Sequence, residues 1–139
     1  MFKNILVPTD LTNRAAHTIE VLKRLIGDTP VKVTLLHVVE QIPETNPEEF
    51  RDFYSGLEER SAAKLASLAA LLEGPTIDVA RHVTYGRPAM EIARFAEAQN
   101  IDLIALASHA VDPTQPGRGW GTLSYKIGML AACPVLLVK

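Results

Sequence analysis

Short apolar runs alternate along this chain with longer stretches in which apolar residues return every three or four positions. The first run, NILVP (Asn4–Pro8), is continuous rather than alternating. Strands covered by helices on both faces read this way, because neither face meets water. TDLTN then reads as a turn, and a helix is predicted from Asn13 to Ile26. Its apolar positions Ala15, Ile19, Leu22, Leu25 and Ile26 lie near one face. Thr12 is placed as its N-cap and Gly27 as its stop. VKVTLLHVV (Val31–Val39) is the second strand.

After the loop EQIPETNP, Pro47 suits the first turn of a helix running to about Leu72. Phe50, Tyr54, Leu57, Ser61, Leu65, Leu68 and Leu72 form its inward face, Gly56 weakens its first half, and Gly74–Pro75 ends it. The third strand is Ile77–Tyr85, with Ile77, Val79, Arg81 and Val83 on one face. GRP turns the chain, and Pro88 opens a helix with Ala89, Ile92, Ala93 and Ala96 inward. Leu103–Ala107 is the fourth strand, Thr122–Leu130 the last helix, and Pro134–Lys139 the fifth strand. Strict alternation of strand and helix predicts an α/β domain spanning residues 1–139, with a parallel sheet, helices on both faces and right-handed crossovers. The stretch Ser108–Trp120 has no periodicity, and loops of that length are usually functional or mobile.

Composition narrows the partners. With 47% apolar and 22% charged residues, the 139-residue chain can bury a real core without disulfides. A net charge of −2 offers no electrostatic footprint for nucleic acid. The lone cysteine, Cys133, suits a reducing cytoplasm. The first apolar run is too short for a signal-peptide core. No segment approaches the ~20 apolar residues of a membrane span. A cytoplasmic protein with no membrane contact is expected.

In an open parallel sheet, ligands sit outside the carboxyl ends of the strands, where strand order reverses. PTDLT, HVVEQ, TYGRP and the Gly-rich loop lie at those ends and form one mouth. Asp10 either caps the turn or first helix, or accepts hydrogen bonds from an amino group or from ribose hydroxyls. Gly117, Gly119 and Gly121 either make a flexible turn or aim backbone N–H groups at an anion before the helix start at Thr122, with Arg118 adding a cation. Trp120 reads as a hydrophobic plug under the loop. His17, His37, His82 and His109 lack metal-ligand spacing, so no metal is expected. His37 reads as a hydrogen-bonded strand residue, and His109 falls in the mouth. Cys133, before Pro134, reads as a small buried hydrophobe. The charges of PEEFRDFYSGLEERSAAK read as a solvated helix face.

Taken together, NILVPTDLT, VTLLHVV, YGRPAMEIARFAEAQNIDLIALASH and GTLSYKIGMLAACPVLLVK resemble the universal stress protein family. The resemblance covers almost the whole chain. Its most specific parts are the opening ILVPTD, the block from Gly86 to His109, and the ending CPVLLV. It implies a doubly wound five-stranded parallel sheet of order 3-2-1-4-5, a cytoplasmic homodimer and, in many members, a bound adenine nucleotide. The acid that the ATP-binding branch carries after its first strand is matched by Asp10. A backbone contact to adenine from the second strand falls at Val38. The branch's glycine motif is Gly, two residues, Gly, nine residues, then Gly-Ser/Thr. Here Ala107 and Ala110 replace the first two glycines, Gly121-Thr122 keep the final pair, and ten residues separate Ala110 from Gly121. An alanine there adds no backbone strain if φ is negative and costs about 1 kcal/mol or more if φ is positive, and a methyl pointing at the ribose or triphosphate would block close approach. Gly117, Arg118 and Gly119 are extra and offer a substitute phosphate cradle.

The residues so assigned to a nucleotide are Pro8, Thr9, Asp10, Val38, Gly86, Ala107, Ser108, His109, Arg118, Gly119, Gly121, Thr122 and Leu123. The implied function is a regulatory stress-response module binding ATP or AMP, with or without Mg²⁺. The alternative is a member that binds no nucleotide and acts through dimerisation and protein partners. A slow ATP hydrolase ranks last, because the chain has no GKS/T segment and no obvious general base or acidic pair for Mg²⁺. A phosphorelay receiver would need an acid where TYGRP stands, and a flavodoxin a richer hydroxyl loop than TDLTN. The homodimer is expected through Val135–Val138, an apolar last strand that is a liability as an open edge.

Overall fold

The computed structural model describes residues 2–40, 48, 50–108, 114 and 123–139. In chain order the elements are β1 (Asn4–Pro8), α1 (Asn13–Ile26), β2 (Val31–Glu40), α2 (Arg51–Ala70), β3 (Ile77–Gly86), α3 (Pro88–Ala98), β4 (Leu103–Ala107), α4 (Leu123–Leu130) and β5 (Val135–Val138). The strands form one parallel sheet in the order β3-β2-β1-β4-β5.

Alternation along each central strand divides the core into two layers. Ile5, Val7, Val33, Leu35, Leu103 and Ala105 face one side and pack with Ile19 and Leu22 of α1 and Leu65 of α2. Leu6, Leu36, Ile104 and Leu106 face the other and pack with Ile92 and Ala96 of α3 and Ile127 of α4. This is the doubly wound arrangement that the continuous apolar runs predict. Ile5, Leu6, Val7, Leu35, Leu36 and Ile104 are all fully buried. Burying each such side chain contributes about 1.5–3 kcal/mol, which makes the centre of the sheet its most stable part.

Several predicted details shift. Leu25 is 45% exposed, and Thr18 takes the buried place on α1. Thr18 tolerates this because its hydroxyl donates to the Arg14 carbonyl at 3.1 Å. Thr12 stands at the N-cap of α1 but makes no side-chain cap bond. Gly27 ends that helix with φ 55°, its N–H donating to the Lys23 carbonyl. Phe50, predicted on the inner face of the second helix, is 36% exposed. That helix closes at Ala70, because Leu71 and Leu72 bond to Leu68 and Ala69 in a tighter turn. Its expected opening at Pro47 lies outside the described residues, as does the expected first residue of α4, Thr122. Strands β2 and β3 each run one residue beyond prediction, to Glu40 and Gly86, which pair with each other. Strand β5 keeps only the four central residues of the predicted six.

Candidate functional site

The chain builds outward from β1 to β2 and β3, then crosses back to β4 and β5 on the other side. The ends of β1 and β4 therefore flank the point where strand order reverses, the usual place for a ligand crevice. Strand β1 leaves the sheet early. Pro8 pairs with Leu36 in its last rung, and Thr9 N–H still donates to the Leu36 carbonyl at 2.9 Å. Beyond that level β2 continues to Glu40 with β3 beside it, and β4 continues to Ala107 with β5 beside it. The departure of β1 opens a cleft between them.

The cleft has a volume of about 250 Å³, just below the roughly 300–1,000 Å³ usual for small-molecule sites. Its walls come from Pro8, Thr9 and Asp10 after β1, Leu36 to Val38 and Glu40 of β2, and Leu106 and Ala107 of β4. The starts of helices close it through Ala15 of α1, Pro88 and Ile92 of α3, and Leu123 of α4. The lining is mostly apolar, with Thr9, Asp10, His37 and Glu40 as its polar members. Leu36, Val38 and Glu40 share one face by their two-residue spacing. Peptide groups alternate in direction along a strand. Since the Leu36 carbonyl points toward β1, the Val38 N–H and C=O point to the same side, above the place where β1 has turned away.

The turn joining β1 to α1 is held at every residue. Thr9 Oγ1 accepts from Leu11 N–H at 2.9 Å. Asp10 Oδ1 accepts from the Thr12 N–H at 3.0 Å and from the Thr12 hydroxyl at 2.6 Å. His37 Nδ1 lies 2.8 Å from the Thr9 carbonyl. A carbonyl only accepts, so Nδ1 carries the hydrogen. Leu11 has φ 67°, a left-handed conformation that costs a non-glycine residue roughly 1–2 kcal/mol. The local bonds and the packing of Leu11 on the α1 side of the core keep it there. Asp10 is exposed, and its second oxygen, Oδ2, has no partner among the described residues.

Of the residues predicted for the site, the structure brings together Pro8, Thr9, Asp10, Val38, Ala107 and Leu123 around the cleft. Gly86 and Ser108 are not among its walls. Gly86 has φ 143°, and a Cβ there would stand 2.8 Å from Glu91 Cγ, so it serves the turn from β3 into α3. The Ser108 hydroxyl lies 3.2 Å from that of Ser124 and accepts from Lys139 Nζ at 3.3 Å. Positive φ among described non-glycine residues is confined to Leu11 and Asn100. Ala107 therefore carries no positive-φ strain. His109, Ala110, Arg118, Gly119, Trp120, Gly121 and Thr122 lie outside the described residues.

Sequence reading gave His37 only a structural role and did not single out Glu40, although both belong to the strand-end segment HVVEQ. The length of β2 beyond β1 is the missing information. Among the described residues no group of three His, Cys, Asp or Glu side chains could hold a metal ion. Among the described residues, the groups with shifted acidity are Tyr85 and Cys133, and both lie outside the cleft walls. Burial, reinforced by the Glu58 carboxylate, pushes the Tyr85 hydroxyl up. Burial, reinforced by Asp102, pushes up the Cys133 thiol. Among the described residues no helix is long and apolar enough to cross a membrane.

The fold and cleft define an open, doubly wound α/β protein with its crevice at the strand-order switch point. The chain belongs to the universal stress protein family, whose model matches residues 1–139. It is 30% identical over 141 residues to the universal stress protein in the QAH/OAS sulfhydrylase 3′ region of Thermus aquaticus. It is 25% identical over 154 residues to universal stress protein YxiE of Bacillus subtilis (strain 168). Both alignments cover 100% of each partner. Among solved structures, hypothetical protein MJ0577 matches with a TM-score of 0.85 at 28% identity, covering 100% of this chain and 96% of that one. Three more distant structures share the fold: a universal stress protein in complex with cAMP (TM-score 0.72, 14% identity, covering 99% of this chain and 97% of that one), one from Archaeoglobus fulgidus with dAMP (0.64, 18%, 99% and 98%), and one from Arabidopsis thaliana with AMP bound (0.68, 20%, 99% and 91%).

Proposed function

We propose that this protein is a stress-response binding module of one domain that holds an adenine nucleotide, AMP or ATP, in the cleft above β1. The observation that carries the reading is the cleft itself. It combines an apolar slot between β2 and β4 with the paired donor and acceptor of the Val38 backbone and a carboxylate at the lip. Adenine presents a ring acceptor beside an amino donor, which the N–H and C=O of Val38 match in kind. Asp10 Oδ2 is the acceptor for ribose hydroxyls. The phosphates would extend toward the start of α4, where a helix N-terminus favours negative charge, with Arg118, Gly119, Gly121 and Thr122 as their partners. The adenine nucleotides in distant relatives support the same ligand class.

A binding role rather than catalysis, and a cytoplasmic setting compatible with one free cysteine, belong to the same reading. So does a homodimer through β5. Leu137 is 38% exposed on that edge strand, and α4 beside it exposes Tyr125, Met129 and Leu130 at 53, 66 and 49%. An apolar surface continuous with an unpaired edge suits a second copy of the chain.

Denaturing the purified protein and analysing the released small molecules by mass spectrometry tests the ligand. AMP or ATP in near-stoichiometric amount is expected. Calorimetry with AMP and ATP then gives the affinity, and Asp10→Asn is expected to weaken it about tenfold, the loss of a charge-assisted hydrogen bond. No binding of either nucleotide by the wild type would leave the dimer as the functional unit.

A further inference from the structure

Asp10 can read a ribose only if the turn that carries it stays in place, and one side chain from a different strand reaches that turn. His37 lines the cleft and donates from Nδ1 to the Thr9 carbonyl at 2.8 Å. Within the turn, the other side-chain bonds are local: Thr9 holds Leu11, and Asp10 holds Thr12. Leu11 is in a left-handed conformation, φ 67°, so the turn holds strain that its bonds and packing must offset. We propose that His37 is a positioning residue that sets the ribose selectivity of the cleft, by clamping the Thr9–Thr12 turn so that Asp10 stays at the lip. The proposal rests on the adenine-nucleotide reading and deepens it. His37 clamps the turn from outside, at the residue immediately before Asp10. The β1 ladder cannot do this, because it ends at Pro8, and the Thr9 N–H bond to Leu36 leaves the carbonyl side of Thr9 to His37.

The test compares ATP with 2′,3′-dideoxy-ATP by calorimetry on the full chain. The wild type is expected to prefer ATP about tenfold or more, because a site built around a hydroxyl penalises its absence. In His37→Phe, which keeps ring bulk but loses the donor, the preference, read as the ratio of the two affinities in the same variant, is expected to fall to about twofold or less. His37→Asn places an amide N–H close to the position of Nδ1 and is expected to restore the preference. Hydrogen exchange of the Leu11 and Thr12 amides in nucleotide-free protein supplies a second readout, faster in His37→Phe and not in His37→Asn. An unchanged ATP preference in His37→Phe, or unchanged exchange at these amides, overturns the proposal and leaves nucleotide binding standing. If the wild type binds AMP and not ATP, the same comparison is made between AMP and 2′,3′-dideoxy-AMP; failure of the wild type to bind either AMP or ATP overturns both.

Discussion

The sheet has two open edges, and they are built differently. Strand β3 is ten residues long and exposes Asp78, Arg81 and His82 along its length. Strand β5 is four residues of Val-Leu-Leu-Val, next to a helix that exposes Tyr125, Met129 and Leu130. Charged side chains on an edge discourage another strand from adding to it, whereas a short apolar edge beside an apolar helix invites one. The longer edge, which has more unpaired backbone to offer, is the one that carries the charges. The contrast teaches that the longer edge need not be the stickier one: on the proposed dimer reading, the side chains flanking an edge decide where a second chain joins, not its length.

The sharpest test of that contrast separates stability from association. Leu35→Ala, in the fully buried centre of the sheet, is expected to lower unfolding free energy by about 2–5 kcal/mol. Leu137→Ala, at the β5 edge, is expected to lower the stability of the isolated subunit by less than about 1 kcal/mol. Urea denaturation at low protein concentration measures both. An equal loss would mean that Leu137 serves the core and not an interface.

The next largest effect is expected on assembly. Pro134 and Val138 carbonyls accept from Ile104 and Ser108 of the β4 side, so by alternation the Val135 and Leu137 peptide groups face away from β4. Leu137→Pro therefore removes an outward N–H while sparing the β4 ladder. It is expected to weaken dimerisation about 100-fold or more in sedimentation equilibrium. Arg81→Pro makes the matching change on β3, because the Thr76 carbonyl faces β2 and alternation turns Arg81 outward. No change in mass is expected there. A dimer weakened by Arg81→Pro and untouched by Leu137→Pro would reverse the assignment of the two edges.

The smallest effect is at the top of β3. The Tyr85 hydroxyl donates to Glu58 Oε2 at 2.8 Å, which adds to burial in raising its pKa. Glu58→Gln removes the negative neighbour and is expected to bring the Tyr85 titration partway back down, measured as phenolate absorbance. An unchanged titration would mean that α2 does not cover this end of β3 in solution.

The predicted limits of β1, α1 and β4 hold to the residue, because each is a strong local pattern bounded by turn residues. Glu40 and Gly86 were not legible as strand residues, since their pairing depends on register with each other and not on hydrophobicity. Leu25 and Thr18 exchanged places for a similar reason: the helical face is set by what α1 packs against. Asp10 and Val38 could be placed near the mouth from their positions at strand ends. The clamp from His37 to Thr9 could not, because the partners are 28 positions apart and neither residue type announces the other.

The amino-acid order by itself determined the alternation of buried strands and amphipathic helices, since periodic burial is a local property of the chain. It also determined the family, through motifs spread along nearly its whole length. Only the tertiary structure decided that β1 ends below its neighbours and so opens a cleft, that His37 reaches the turn carrying Asp10, and that the open edges differ in what surrounds them. Each of these depends on strand register and on distances between segments remote in sequence, and local pattern constrains neither.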